Sequence, residues 1–136
     1  MTGMLNAAPL SPAPEARPFW EAANRHELLL PFCVTCQQFF FYPRPLCPRC
    51  GTRDLDWRRC SGQGRVYTYC VQYQTAVPFV TVIVELVEGP RLMSILVDVA
   101  PDPAAVRCDM PVEVAFVDRP DGQSLPVFRP ASPVSR

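Results

Sequence analysis

Apolar and polar positions alternate with a period of about two through the second half of the chain. Residues 65–74, 79–85, 91–97 and 112–117 are rich in Val, Ile, Tyr and Thr, and residues 125–128 have the same character. Gly62/Gly64, Pro78, Glu88-Gly89-Pro90, Asp102-Pro103 and Asp121-Gly122 punctuate these runs. Short β-prone runs bounded by turn residues predict strands joined by tight connections. No long helical pattern separates them, which excludes a doubly wound parallel sheet. About five strands of this length predict a small closed or partly open barrel of the OB-fold kind.

The first half has a different pattern. Pro18-Phe19-Trp20-Glu21-Ala22-Ala23-Asn24-Arg25 fits a short helix, with Pro in the first turn and Phe19, Trp20 and Ala23 sharing a face. Two aromatics exceed what so short a helix needs for itself. Phe19 and Trp20 are therefore expected to dock on the body of the domain or on another protein. Residues 27–32 predict a lead-in strand, and Phe39-Phe40-Phe41-Tyr42 an aromatic strand that Pro43-Arg44-Pro45 ends.

Between and after these runs stand two Cys-x-x-Cys pairs, Cys33/Cys36 and Cys47/Cys50, ten residues apart. Four thiolates on two tight knuckles make a tetrahedral cage, and an all-cysteine zinc shell leaves no position for water or substrate. A structural zinc is expected, with iron in a rubredoxin-like site as the alternative metal. A thioredoxin-like redox role lacks its βαβ setting. Because the flanking strands are too short for a core of their own, the metal would carry much of the folding energy of this half.

The other candidate groups are sparse. Cys60, Cys70 and Cys108 remain, and Arg58 and Arg59 beside Cys60 would favour a thiolate. The single histidine, His26, lies at a helix-to-strand turn, and nothing in the sequence brings it to a thiol. Buried cysteines acting as small apolar side chains, and a solvated turn histidine, are the expectation. No catalytic pair of carboxylates, Ser-His-Asp order or phosphate-binding glycine loop is present.

Charge sharpens one region only. The chain carries 13 basic residues, all arginine, and 13 acidic ones, for a formal net charge of zero. That balance does not fit a protein that coats nucleic acid. Arg44, Arg49, Arg53, Arg58, Arg59 and Arg65 nevertheless cluster from the knuckles to the first barrel strand, offset only by Asp54 and Asp56. Part of that excess neutralises a metal tetrathiolate. The remainder is a candidate phosphate-binding surface, for which Arg44, Arg49, Arg53, Arg58 and Arg59 are the named residues. The alternative function is single-stranded nucleic-acid binding, with Phe39 to Tyr42 as a stacking platform beside the arginines.

Of the prolines, 17 in 136 residues, part lies in residues 7–14 and part in the tail from Pro126 to Pro133. The expected organisation is a disordered arm over 1–17, helix and lead-in strand over 18–30, a zinc ribbon over 31–60, an OB-fold over 61–130 and a tail over 131–136. The start lacks a secretory pattern and no run is long enough to span a bilayer. A cytoplasmic location is expected, where thiols stay reduced and cysteine pairs signal metal.

Taken together, Phe19-Trp20, the Cys33/Cys36 knuckle, Tyr42-Pro43-Arg44-Pro45-x-Cys47-Pro48-x-Cys50-Gly51, Trp57, Ser61-Gly62-x-Gly64-x-Val66-Tyr67, Val84-Glu85-Leu86-x-Glu88-Gly89-Pro90-Arg91, Met110-Pro111-Val112 and Phe128-Arg129-Pro130 resemble the zinc-ribbon/OB-fold acyl-CoA-associated family, formerly a domain of unknown function. The resemblance runs from about Phe19 to Pro130. It implies a mainly β protein with an N-terminal helix, a rubredoxin-like zinc ribbon and a C-terminal OB-fold barrel. It also implies a non-catalytic subunit that partners a thiolase-fold enzyme in acyl transfer, thiolysis or retro-aldol cleavage, stabilising it and helping to form an acyl-CoA site. Two positions depart from the pattern. Gln37 stands where relatives often have Gly, and Cys108-Asp109 where they tend to have an apolar residue and Gly.

Overall fold

Strict alternation is clearest in Phe79–Leu86, where Val80, Val82, Val84 and Leu86 are buried and the residues between them are half exposed. That strand, β5, is one of eight in the computed structural model, which describes residues 11–131. The others are β1 (Leu29–Cys33), β2 (Gln38–Phe39), β3 (Leu55–Arg59), β4 (Gln63–Gln72), β6 (Arg91–Leu96), β7 (Pro111–Asp118) and β8 (Ser124–Pro130). One α-helix, α1 (Arg17–Asn24), precedes them. No described helix is long and apolar enough to cross a membrane.

Residues 1–10 of the expected arm and 132–136 of the expected tail lie outside the described residues. The rest of the arm is already structured: Pro14–Ala16 form a 3-10 turn that leads into α1, and Ala16 is fully buried. Proline suits both first turns, since an N–H there would have no helical partner.

The first three strands form a small antiparallel sheet in the order β2-β1-β3. The aromatic strand expected over residues 39–42 is shorter than its sequence suggests. Only Phe32↔Phe39 and Cys33↔Gln38 pair, after which the Phe40 N–H donates to the carbonyl of Pro31. Pro31 has no N–H to return, so the ladder ends there. Along its other edge β1 pairs fully with β3, from Leu29↔Arg59 to Cys33↔Leu55. Strand β3 carries Asp56, Arg58 and Arg59 and has no apolar alternation to mark it in sequence.

The remaining strands close a barrel in the order β4-β5-β6-β8-β7. A bulge between Val66 and Thr68 bends β4. Its first residues pair with β7 (Gln63↔Glu113 to Arg65↔Pro111), and its whole length pairs with β5. A bulge of this kind lets one strand serve two sheets by adding local twist. Closure between β6 and β8 is parallel and brief: Leu96↔Phe128, with the Val97 N–H on the Phe128 carbonyl at 2.7 Å. At this seam the Ser94 hydroxyl donates to the Pro126 carbonyl at 2.9 Å.

Helix α1 covers the rest of the seam. Phe19, Trp20, Leu28, Phe41 and Tyr42 meet Leu92, Met93, Ser94 and Pro126 around a cavity of about 260 Å³. Helix, ribbon and barrel therefore share one core, in which Phe19, Leu28, Leu30 and Cys60 pack with Val66, Val84, Leu86, Leu92 and Phe128.

Both departures from the family pattern fall on left-handed backbone. Gln37 has φ 58° and Asp109 φ 68°, a region that costs glycine nothing and other residues a Cβ clash. Each side chain recovers a hydrogen bond there. Gln37 Nε2 donates to the Val34 carbonyl at 2.6 Å, and Asp109 accepts from Arg65 Nη1 at 2.5 Å.

Candidate metal centre and ribbon–barrel cleft

The two knuckles bring Cys33, Cys36, Cys47 and Cys50 together with all four sulfurs within 4.8 Å of one another. Cys33 and Cys50 sulfurs are 3.7 Å apart and those of Cys36 and Cys47 are 4.0 Å apart. Zinc–sulfur bonds of about 2.3 Å in a tetrahedron need sulfurs about 3.8 Å apart. The cage fits the ion. Each knuckle also turns a backbone N–H onto a sulfur: Cys36 onto Cys33 at 3.2 Å, and Arg49 onto Cys47 at 3.4 Å.

The protonation pattern shows what the sulfurs lack without a cation. Backbone N–H groups of Cys50 and Arg49 pull Cys47 down to about 6. Hydrogen bonding to the Cys50 sulfur, followed by burial, pushes Cys36 up to about 12. Four adjacent sulfurs cannot all ionise unless a metal supplies the positive charge. Cys33 and Cys47 are buried, whereas Cys50 is exposed. All four positions are filled by protein, so the site holds structure and offers no place for a reacting group.

The other thiols separate. Cys60 is buried, and burial together with the charge of Glu88 pushes it up to about 12. It is an inert thiol, as expected. Cys70 and Cys108 are exposed, contrary to the expectation of burial. Cys70 lies on the outward face of β4 opposite Thr81, and Cys108 lies in the loop before β7. His26 is exposed as expected, but it has partners. Its Nε2 is 3.1 Å from Asp118 Oδ1, and its ring stacks on Phe116 with centroids 5.1 Å apart. The Ser124 hydroxyl, then His26, hold the Asp118 carboxyl below its usual range.

Phe19 is consumed by the chain's own core, with 5% exposure. It packs edge-on to Trp20 and against Phe41 and Tyr42. Trp20 stays half-buried and donates its indole N–H to the Tyr42 hydroxyl at 3.1 Å. Of the pair expected at a partner surface, only Trp20 reaches solvent. In the run Phe39 to Tyr42, Phe40 is buried, Phe39 and Phe41 are half-buried, and Tyr42 is exposed while leaning on Phe19.

The arginines divide. Arg58 stacks over Phe32 at 3.9 Å and pairs with Asp56 at 3.0 Å. Arg65 pairs with Glu85 and Asp109. Arg44, Arg53 and Arg59 are exposed. Arg49 lines a cleft of about 350 Å³ between ribbon and barrel, with Phe39 and Phe41 on one wall and Glu88 and Arg91 on the other. Arg91 also stacks on Tyr67 and bonds Glu85. Glu88 accepts the Ser61 N–H at 2.8 Å with one oxygen, while the other is buried without a partner. Arg49 was expected at a ligand surface from sequence, whereas Glu88 and Arg91 were not. Their signal was present in the Glu88-Gly89-Pro90-Arg91 turn, a motif of the family pattern.

Residues 20–56 match the rubredoxin-like zinc ribbon domain of ChsH2, and residues 57–117 match its C-terminal OB-fold domain. A DUF35 domain-containing scaffold protein of Methanothermobacter thermautotrophicus is 34% identical over 100 residues, covering 68% of this chain and 74% of that protein. The chain belongs to the ChsH2 (DUF35) family. A probable enoyl-CoA hydratase alpha subunit of Thermomonospora curvata is 39% identical over 121 residues. Those residues are 85% of this chain but 37% of that protein, so the chain spans about a third of the relative's length. Among solved structures, a chain of the Ltp2-ChsH2(DUF35) aldolase superposes with a TM-score of 0.80 at 34% identity, covering 91% of this chain and all of the other. The ribbon, the cysteine cage and the five-stranded barrel are thus those of the ChsH2 family.

Proposed function

We propose that this ChsH2-family chain is a non-catalytic accessory subunit of a thiolase-fold, acyl-CoA-processing complex. It stabilises the catalytic subunit and helps to form the acyl-CoA site, in acyl transfer, thiolysis or retro-aldol cleavage. The observation that carries this reading is the likeness, over 91% of the chain, to a chain of the Ltp2-ChsH2(DUF35) aldolase. The names of other relatives, a hydratase alpha subunit and a scaffold protein, point to assembly as well.

The chemistry of the described residues supports the non-catalytic part. The metal cage is closed, Cys60 is held protonated by burial, and His26 is bound to Asp118 with no thiol beside it. Reduced thiolates of this kind suit a cytoplasmic setting. For the ligand, Arg49 and Arg91 line one cleft with Phe39 and Phe41, and guanidinium groups beside a π face suit a phosphate and a heteroaromatic base. Coenzyme A carries both.

Tagged protein expressed in its native host should co-purify with a thiolase-fold enzyme in stoichiometric amount. Recovery as a free chain under those conditions would count against the assignment. In the reconstituted complex, Arg49→Ala should raise KM for acyl-CoA several-fold while kcat holds; an unchanged KM would remove the cleft from the ligand site.

A further inference from the structure

The barrel closes through the first residues of β4, and the rest of that strand has one unpaired side. Strand β4 pairs with β7 only through Arg65, and the last contacts on that side are the Val66 N–H to the Met110 carbonyl and the Asp109 N–H to the Val66 carbonyl. Beyond the bulge, Thr68 to Gln72 pair with β5 on one side and with no described strand on the other. Every second residue there turns its N–H and C=O outward, which makes a template for another strand.

Natural edges are blunted by Lys, Pro or inward-pointing charge. Beyond its bulge between Val66 and Thr68, this one has none of these. From Val66 to Val84 the sequence contains no charged residue at all. Thr68 and Cys70 are exposed, Tyr69 and Val71 are half-buried against the core, and Tyr67 and Tyr73 are 44% and 60% exposed.

We infer that this edge pairs with the same edge of a second copy of the chain, antiparallel and with its two-fold axis at Cys70. The residues are self-complementary in that register. Cys70 faces Cys70 of the second copy, and Tyr69 faces Val71, an aromatic and β-branched pair on the core side. Thr68 faces Gln72 on the solvent side. With no charge on the edge, identical copies bring no like-charge repulsion. The result is a continuous sheet running β6-β5-β4 into β4-β5-β6 of the second copy, an isologous interface that closes on itself.

Two charge variants and one cross-link test the register in the full-length, zinc-loaded chain. The unaltered protein should elute at twice its 15.2 kDa chain mass. Thr68→Glu with Gln72→Glu puts like charges opposite each other twice and should weaken the dimer at least tenfold; Thr68→Lys with Gln72→Glu should restore it. Opposed Cα atoms about 4.5–5.5 Å apart should let a short bismaleimide join two chains in a manner lost in Cys70→Ser and kept in Cys108→Ser. A chain that stays monomeric at every concentration, or one whose dimer ignores both charge variants, overturns the inference. So does slowed hydrogen exchange at 68–72 that arises only on addition of a catalytic subunit, which would assign the edge to a strand of that partner. Co-purification of a catalytic subunit is read separately, so this inference and the proposed function can fail independently.

Discussion

The side-chain oxygen of Asn24 accepts the backbone N–H of Ser124 at 2.8 Å, tying the last residue of α1 to the start of β8. The Trp20 carbonyl accepts Gln123 Nε2 at 3.1 Å in the same contact, and His26 reaches Asp118 just beyond it. Helix α1 is too short to be stable by itself. These bonds and the burial of Phe19 hold it over the seam between β6 and β8, and through Phe41 and Tyr42 it also fixes the ribbon against the barrel.

Asn24→Ala leaves the N–H of Ser124, a buried residue, without an acceptor, which costs about 1–3 kcal/mol. The urea midpoint should fall accordingly, and amides of α1 should exchange faster than those of β5. Asn24→Asp keeps the acceptor and should fall much less.

Two glycines of the Ser61-Gly62-x-Gly64 turn are required by space. A Cβ on Gly62, which has φ 83°, would lie 2.2 Å from Val114 Cγ1, and one on Gly64 would lie 2.5 Å from the Glu85 carbonyl oxygen. Gly62→Ala combines left-handed strain with overpacking and should destabilise by about 3 kcal/mol or more. Gly122 has φ 92° with open space around it, so Gly122→Ala should cost only about 1–2 kcal/mol. Thermal melts of the two variants side by side check the difference.

The parts of this fold that were legible in sequence are those set by local pattern. Alternation in β5 and the cysteine spacing each follow from a few adjacent residues. Strand β3 was not legible, because Asp56, Arg58 and Arg59 face solvent and only pairing with β1 makes them a strand. Nor was the early end of β2, which depends on a proline in the neighbouring strand. At the candidate site the metal ligands were legible, whereas the cleft was not. Arg49 and Arg91 line one cleft only because the core shared by ribbon and barrel brings the second knuckle to the β5–β6 turn. Asn24 and Ser124 are 100 residues apart and carry no joint signal.

Acid should weaken the barrel through Glu85. Bonds from Arg65, then Arg91, hold its carboxyl below the usual value of 4.5. A group with a depressed folded pKa contributes stability above its unfolded pKa and loses it as pH falls through the folded value. The contribution should therefore be level above about pH 5 and disappear progressively below 4.5. Acid also strips metal from thiolates, so the informative quantity is the difference between the protein and Glu85→Gln. That difference should shrink as pH is lowered from 6 to 3; a constant gap would show that the Arg65–Glu85–Arg91 ladder adds nothing.

Metal removal tests how far the ribbon depends on its cage. Structural zinc in small ribbons supplies about 10–16 kcal/mol of apparent binding energy at neutral pH, and that energy is folding energy. Here β2 has two residues and β1 pairs across a proline, so little else holds the sheet. Elemental analysis should give one zinc per chain, and Cys47→Ser should lose it, whereas Cys70→Ser should keep it. Amides of β1 and β3 should then lose exchange protection first. Because Leu28, Leu30 and Cys60 belong to the core shared with the barrel, β5 and β6 should weaken next, and the melting temperature of the whole chain should drop. A variant that keeps zinc, or a barrel whose melting is untouched by its loss, would separate the two halves that the packing joins.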